Sequence, residues 1–396
     1  MRKPPAIIHI GGGYFQVASI RWAQEAGLYT VVTDRNPSAP GAAYADHFVP
    51  IAGDDTEALL HLAADICKHY SLVDIWCHAD FCLMPRARLI ETLGLPGIPS
   101  GAVADALNKD RAKLIWQERG IATPLSQITA SENEAQSAVH DIGLPVIMKP
   151  IGASGSMGIS RVEQDAEIIT AYRKARSFGG SVLIEAFLAG REFGVNGIFC
   201  EDKFHACGIS ERQTKSCLIT EIVVPAPLPQ HLEHAIYGLL EDASRSLGIT
   251  QGCVKGDCIL VGERPLIIEM APRLHGNPTM SHTLPLATGM NPIRAWFGTL
   301  SDEEDPLRHL AVGQWRYAGY RPLFCEGGVV QTIEGLDQAK AIPGITSIEL
   351  LIQPGHMVSC HGDNRDIIGY IFAVADDPGA LREIFDNAQA QMRTLI

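Results

Sequence analysis

Between Val146 and Gly158 a short apolar strand ends on Lys149 and Pro150, and the chain passes at once into Ile-Gly152-Ala-Ser154-Gly155-Ser156-Met157-Gly158. Glycine and serine leave backbone N–H groups uncovered, so the stretch can curl round an anion with a lysine beside it, which is a phosphate cradle in outline. The lysine precedes the glycines and no Gly-Lys-Ser/Thr follows them, so this is not the P-loop pattern. A nucleotide bound here is held in another way. At 396 residues the chain is long for one core, and two or three packed units are expected around this stretch.

Composition narrows the class. With 46% apolar and 19% charged residues the chain is ordinary for a globular protein. No apolar run approaches the roughly 20 residues that span a bilayer, and the Ile-Ile-His-Ile after the first prolines is too short for a signal peptide. A soluble, cytoplasmic protein with no membrane partner is expected. Ten cysteines run from Cys67 to Cys360 without a Cys-x-x-Cys pair, so neither a zinc ribbon nor a disulfide framework is indicated. A net charge of −13 argues against a nucleic-acid footprint and leaves room for a local basic pocket around a small phosphate ligand.

The first third reads as strand, glycine turn, helix, strand. Ile7 to Ile10 leads into Gly11-Gly12-Gly13, a helix runs to Ala26, and Tyr29 to Thr33 ends at Asp34. Asp34 stands where a ribose-binding acid follows a glycine turn. The third glycine that dinucleotide sites use for close helix packing is missing, so a Rossmann-like domain is expected with an NAD site as the lesser alternative. Further alternation follows, with strands at Phe48 to Ile51 and Val73 to Cys77 around a helix from Thr56 to about His69. A single helix is expected from Ala102 to Gly120, carrying Lys109 as a possible phosphate ligand among other charges.

Beyond the cradle, Val182 to Val195 reads as a strand, a connector and a second strand with acids at both ends. Such a connector, Glu185-Ala186-Phe187-Leu188, can present backbone groups to an adenine edge while Glu192 reaches a ribose. A second acidic feature is sharper. Val254 to Val261 and Leu266 to Met270 flank Gly262-Glu263-Arg264-Pro265, a hairpin signal. With the turn centred on Glu263, facing residue numbers sum to 526 and Asp257 opposes Glu269. Directly opposed side chains stand ~5 Å apart on one face, and two carboxylates so placed repel unless a cation lies between them. A hard divalent ion bridging carboxylate and phosphate oxygens resolves the conflict. Lys255 shares that face within reach of a transferring phosphate. Arg273 follows directly, its planar fork suited to a carboxylate or phosphate, and leads into His275-Gly276-Asn277.

In order and separation, Lys109, Lys149 with its Gly-Ser loop, the Glu185 to Glu192 connector, and Asp257 and Glu269 followed by Arg273 resemble the ATP-grasp superfamily, and the segment after 319 resembles the C-terminal domain of its L-amino-acid ligase branch. The resemblance implies a multidomain α/β and α+β architecture: a Rossmann-like pre-ATP-grasp domain over 1–101, a two-lobed ATP-grasp domain over 102–318 (small lobe about 115–185, large lobe about 186–318) and a small C-terminal domain over 319–396. It implies ATP with Mg²⁺, or Mn²⁺ in its place. Lys109 and Lys149 would bind the α- and β-phosphates, with the loop from Gly152 through Ser154, Gly155, Ser156 and Met157 to Gly158 closing over the β- and γ-phosphates. Glu185 to Leu188 would hold adenine, Glu192 the ribose, and Asp257 and Glu269 the metal.

The implied reaction joins a small-molecule carboxylate to an amine through an acyl phosphate, releasing ADP and phosphate. Arg273 would hold the reacting carboxylate with Lys255 beside it, and His275, Gly276, Asn277 and Glu211 would line the substrate pocket. The chain departs from the family where an asparagine metal ligand is usual two residues after the second acid: Ala271 stands there. A carboxylase or formyl-transfer relative, and a binder that no longer turns ATP over, are the rival readings. The apolar C-terminal domain could pair two chains into a homodimer, and the sequence leaves the oligomeric state open.

Overall fold

The computed structural model describes residues 3–152, 155–215, 217–361 and 363–395, so Ser154 of the cradle lies outside the described residues. The N-terminal unit is a four-stranded parallel sheet in the order His47–Val49, Tyr29–Thr33, Pro5–Ile10, Ser71–Cys77. Strands covered by helices on both faces are apolar along their whole length, and Ile7, Ile8, Val31, Val32 and Ile75 are all buried. The helix Thr56–His69 starts where Asp55 accepts a bond from the Ala58 N–H at 3.1 Å. Asp34 is occupied within its own domain: its Oδ2 accepts the Gly12 N–H at 2.9 Å, tying down the glycine turn.

The stretch expected as one helix from Ala102 to Gly120 is two, Ser100–Leu107 and Lys109–Glu118. Asn108 breaks it with an extended backbone (φ −90°, ψ 103°), and its side chain accepts from the Asp110 N–H to cap the second helix. The new helix therefore begins on Lys109 and carries Lys113 one turn on, on the same face.

A small antiparallel sheet follows, in the order Ser126–Thr129, Val182–Ala186, Val146–Pro150, Ser160–Val162. Its inward residues Val146, Met148, Val162 and Ile184 pack against Ala135, Val139 and Tyr172 of the helices Glu132–Ile142 and Ile168–Arg176. Lys149 rides at the end of a central strand of this sheet.

The third layer is an eight-stranded antiparallel sheet, in the order Arg264–Ala271, Gly252–Val261, Arg191–Cys200, Lys203–Lys215, Leu218–Val224, Tyr317–Phe324, Ile367–Ala375, Ile345–Leu350. The expected boundary at 318 thus falls inside a continuous sheet, since the last three strands extend the first five. The helix Gln230–Ser246 covers one end of the back face, where Ile236 and Leu240 join a core with Val195, Val254 and Met270. Leu381, Phe385 and Ala388 of the helix Pro378–Gln391 belong to a core with Val223 and Ile371 at the other end. The front face carries the charged residues of the hairpin end, and beside them two further apolar clusters that include Ile198, Cys253, Val224 and Ala318 in one and Ile222, Tyr320 and Phe372 in the other.

Candidate active site

The hairpin Gly252–Ala271 brings the two acids face to face, Asp257 opposite Glu269. The route differs from a uniform register. From Val261 opposite Arg264 down to Cys258 opposite Ile267, the pairs follow a two-residue turn at Gly262 and Glu263, and a bulge between Asp257 and Cys258 then shifts the register by one. Without that bulge the period of two would turn Glu269 to the back face. The left-handed φ of 61° at Gly262 suits the tight turn.

Lys255 lies between the acids, its Nζ 3.1 Å from Asp257 Oδ2 and 3.3 Å from Glu269 Oε1. Lys109 Nζ approaches Glu269 Oε2 at 3.8 Å. Arg212, from the next strand but one, pairs with Asp257 Oδ1. Burial would raise the Asp257 carboxyl, but Arg212 and Lys255 outweigh it and hold the group well below the usual carboxylate range. Burial drives His275 the other way, to a pKa of about 3 against the pull of Asp257, so its ring is neutral.

A buried ion cluster supports the cradle. Glu185 Oε1 lies 2.5 Å from Lys149 Nζ and Glu185 Oε2 lies 3.0 Å from Lys113 Nζ. Burial would raise the Glu185 carboxyl, yet the two lysines bring it down to about 2, while burial lowers Lys113 to about 8. Lys113 also donates to Thr123 Oγ1 at 2.7 Å, which passes the bond on to the Ile267 carbonyl. One acid between two lysines leaves a surplus positive charge inside the protein. That suits an anionic ligand.

Lys109, Lys255, Glu269 and Gly152 share the wall of a cavity of about 200 Å³ with Asp80, Phe81 and Ala271. Gly155, Ser156 and Gly158 have φ of 68°, 64° and 73°, so the loop around Met157 turns through left-handed backbone that glycine accepts freely and serine does not. Arg273 is held by the N-terminal unit: its Nε donates to Asp80 Oδ1 at 2.7 Å, and its Nη1 to the Leu274 carbonyl. Gly276 passes so near that unit that a Cβ would stand 2.2 Å from the His78 carbonyl oxygen. Asn277 caps the next turn through the Thr279 N–H. Glu192 is on the front face and accepts from the Thr214 hydroxyl at 3.0 Å, with burial raising its pKa.

Three expectations change. Glu211 is on the back face, paired with Arg191 at 2.8 Å, because its neighbour Arg212 takes the front and successive strand residues alternate. Glu185 commits its carboxylate to the two lysines. The Ala186 and Phe187 N–H groups are spent on the Leu125 and Pro145 carbonyls, and the Phe187 ring lies 3.9 Å under the Arg161 guanidinium. Lys113, Asn196 and Asp80 join the site without having been singled out by the sequence, and Arg212 takes the place expected for Glu211. Helical spacing from Lys109 signals Lys113. Asp80 has no local signal, since its role rests on packing between units.

The model of the L-amino acid ligase C-terminal domain 2 family matches residues 321–394, and that of the D-ala D-ala ligase C-terminus matches residues 115–270. The solved L-amino acid ligase of Bacillus licheniformis superposes with a TM-score of 0.83 at 18% identity, over 100% of this chain and 99% of that one. The chain thus resembles ATP-grasp ligases in sequence over residues 115–270 and 321–394 and in fold over its whole length. Other ATP-grasp neighbours include the phosphoribosylglycinamide synthetase of Anaerococcus prevotii, with a TM-score of 0.75 at 18% identity over 99% and 100% of the two chains.

Among curated sequences, the uncharacterized protein y4rH of Sinorhizobium fredii is 26% identical over 353 residues, 86% of this chain and 72% of that one. The D-alanine–D-alanine ligase of Aromatoleum aromaticum is 31% identical over 192 residues. That match spans 46% of this chain and 62% of the ligase, less than two thirds of the relative's length. Among the described residues no helix is long and apolar enough to cross a membrane.

The residues fit a metal-bound nucleotide. Two opposed carboxylates are a partial set of oxygen ligands, as suits an ion that keeps phosphate oxygens and water for its remaining positions. Buried Lys149 and Lys113 would supply the counter-charge for phosphates. The Asn196 Nδ2 and Arg212 Nε donors are buried without a hydrogen-bond partner, as donors reserved for a ligand are.

Proposed function

We propose that this chain is a cytoplasmic, ATP-dependent carboxylate–amine ligase that activates an amino acid as its acyl phosphate and joins it to a second amine, releasing ADP and phosphate. The observation that carries the reading is the Arg273–Asp80 pair, whose acid lies on the wall of the cavity that also holds Lys109, Lys255 and Glu269. A guanidinium and a carboxylate side by side match the two charges of a zwitterion. Arg273 would take the substrate carboxylate and Asp80 its ammonium. The L-amino acid ligase likeness of residues 321–394 supports the same substrate class.

Phosphoryl transfer needs positioning and charge stabilisation more than covalent help from the protein. Lys109 and Lys149, the latter steadied by Glu185, would fix the phosphates in line with the carboxylate held by Arg273. Lys255, already between the two acids, would meet the charge growing on the transferred group. A divalent ion at Asp257 and Glu269 would neutralise phosphate oxygens. The glycine loop would exclude water, which competes with the amine for an acyl phosphate.

The test is ADP release across a matrix of amino acids paired with amines, run with bicarbonate and formate as further arms and Glu269→Ala as control. ADP and phosphate formed with one amino-acid pair, and lost in the variant, support the ligase. ADP formed only with bicarbonate or formate replaces it with the carboxylase or formyl-transfer reading. AMP and pyrophosphate as products overturn the acyl-phosphate route.

A further inference from the structure

The cavity that holds Lys109, Lys255 and Glu269 has a second chemistry at its depth. Lys109, Ala112 and Trp116 all stand on its wall, three and four residues apart in the helix Lys109–Glu118. That spacing sets them in one row, and at about 1.5 Å per residue the indole lies roughly 10 Å along the axis from the lysine. The wall thus runs from a charge in the first turn to an aromatic ring two turns on. Ala106 and Leu107, at the end of the helix Ser100–Leu107, stand on it as well.

Beyond Lys109, none of these side chains offers a polar atom. Ala106, Leu107 and Ala112 carry only hydrocarbon, and the N–H of the Trp116 ring is spent on the Ala243 carbonyl at 3.3 Å. A ligand group that reaches this depth leaves water without gaining a hydrogen bond from a side chain. An aliphatic or aromatic group is stabilised there, whereas an ammonium, carboxylate or amide is left unpaired. Ala106 and Ala112 keep the recess wide, since each stops at Cβ. At the mouth Phe81 follows Asp80 directly and is 61% exposed, an uncovered apolar face beside the acid.

We propose that the amino acid activated by this chain has an aliphatic or aromatic side chain, which lies against Phe81 and enters the recess between Ala106, Ala112 and Trp116, and that Ala112 sets how large it can be. The proposal rests on the reading of Arg273 and Asp80 as the clamp for the substrate's zwitterionic head. Asp80 is on the cavity wall, so a side chain leaving that head group has the recess within the same cavity. Phosphates and a divalent ion use the charged mouth and gain nothing from hydrocarbon. The apolar depth is left for the substrate.

The experiment is ADP release by the full chain with Mg²⁺, ATP and hydroxylamine as a common amine, whose nitrogen displaces phosphate from the acyl carbon to give a hydroxamate. Amino acids are offered in near-isosteric pairs, leucine with asparagine and norleucine with lysine. In each pair kcat/KM for the apolar member should be higher by roughly 10²-fold or more. Filling the recess with Ala112→Leu should lower the ratio of leucine to alanine turnover by roughly 10- to 200-fold. The isosteric pairs need no substitution, so a variant that fails to fold does not decide the matter. Asparagine or lysine preferred over its apolar partner, or a leucine-to-alanine ratio unmoved in folded Ala112→Leu, overturns the proposal and leaves the ligase standing. No ADP or hydroxamate with any amino acid overturns the amino-acid reading of the site and the proposal with it.

Discussion

Glu211 and Arg212 are neighbours in one strand and belong to different networks. On the back face the charges answer one another: Glu211 pairs with Arg191, and Glu221 takes Arg321 at 2.7 Å and Arg382 at 3.1 Å, with Arg321 reaching on to Asp386. On the front face Arg212, Asp257, His275 and Asn196 are as deeply placed and Arg212 bonds both Asp257 and His275, yet Asn196 Nδ2 and Arg212 Nε have no partner. The same sheet thus carries one network paired across the C-terminal strands and another with two buried donors left over. Buried polar groups left unsatisfied cost stability, so the front face is where this chain gives up stability for chemistry.

The largest effect that would break the comparison is catalytic. Asp257→Asn should lower ADP release by roughly 10²- to 10³-fold, as loss of a preorganised charge at a phosphoryl-transfer centre does. Its thermal midpoint, measured by calorimetry, should fall as well, because Arg212 keeps a buried charge without its carboxylate; ADP release that survives in the folded variant would break the comparison. Glu221→Ala should cost stability and leave the nucleotide chemistry intact. Breaking a buried pair leaves Arg321 and Arg382 uncompensated, and a loss of about 3–5 kcal/mol is expected by denaturant titration, with nucleotide affinity retained in the protein that remains folded.

A smaller effect concerns Lys113. Lys113→Met should weaken ADP binding about tenfold, the size of one charge-assisted contact of about 1.5 kcal/mol, in a calorimetric titration at pH 7. Its pH dependence sharpens the test. The folded pKa of about 8 lies below the ordinary lysine value of 10.5, so between these pH values the unfolded chain binds the extra proton. Stability from this group rises with pH across that window. Nucleotide affinity should fall as pH passes about 8, because the bound anion loses a cation, and Lys113→Met should show no such fall. Opposite signs for stability and affinity over one pH range would be hard to produce from a surface lysine.

What could be read in the sequence follows the range of the forces involved. The β-α alternation to Cys77 and the hairpin around Gly262 are set by neighbours in the chain, and both are present in the structure. The acidic pair opposes as the residue numbers suggest, although a bulge restores a register that the two-residue turn had shifted. Asn108 divides a helix because its side chain competes for backbone donors, a choice that charge pattern alone conceals. Glu211 and Arg212 are decided by which face of the strand meets the Pro378–Gln391 helix, a fact of assembly. Asp80 and Asn196 meet their partners across 193 and 79 positions of chain, and no local pattern announces such pairs.

The large sheet carries one more consequence. Because Tyr317–Phe324 is hydrogen-bonded along Leu218–Val224, the last 78 residues are not a cap resting on a finished enzyme. A chain cut after 318 would bare the edge of the strand next to the one that carries Arg212, and would strip Arg321 and Arg382 from Glu221. Such a fragment should seek another edge to pair with, in itself or in a second copy. The segment after 318 could be traded between relatives only together with the seam on which it is sewn.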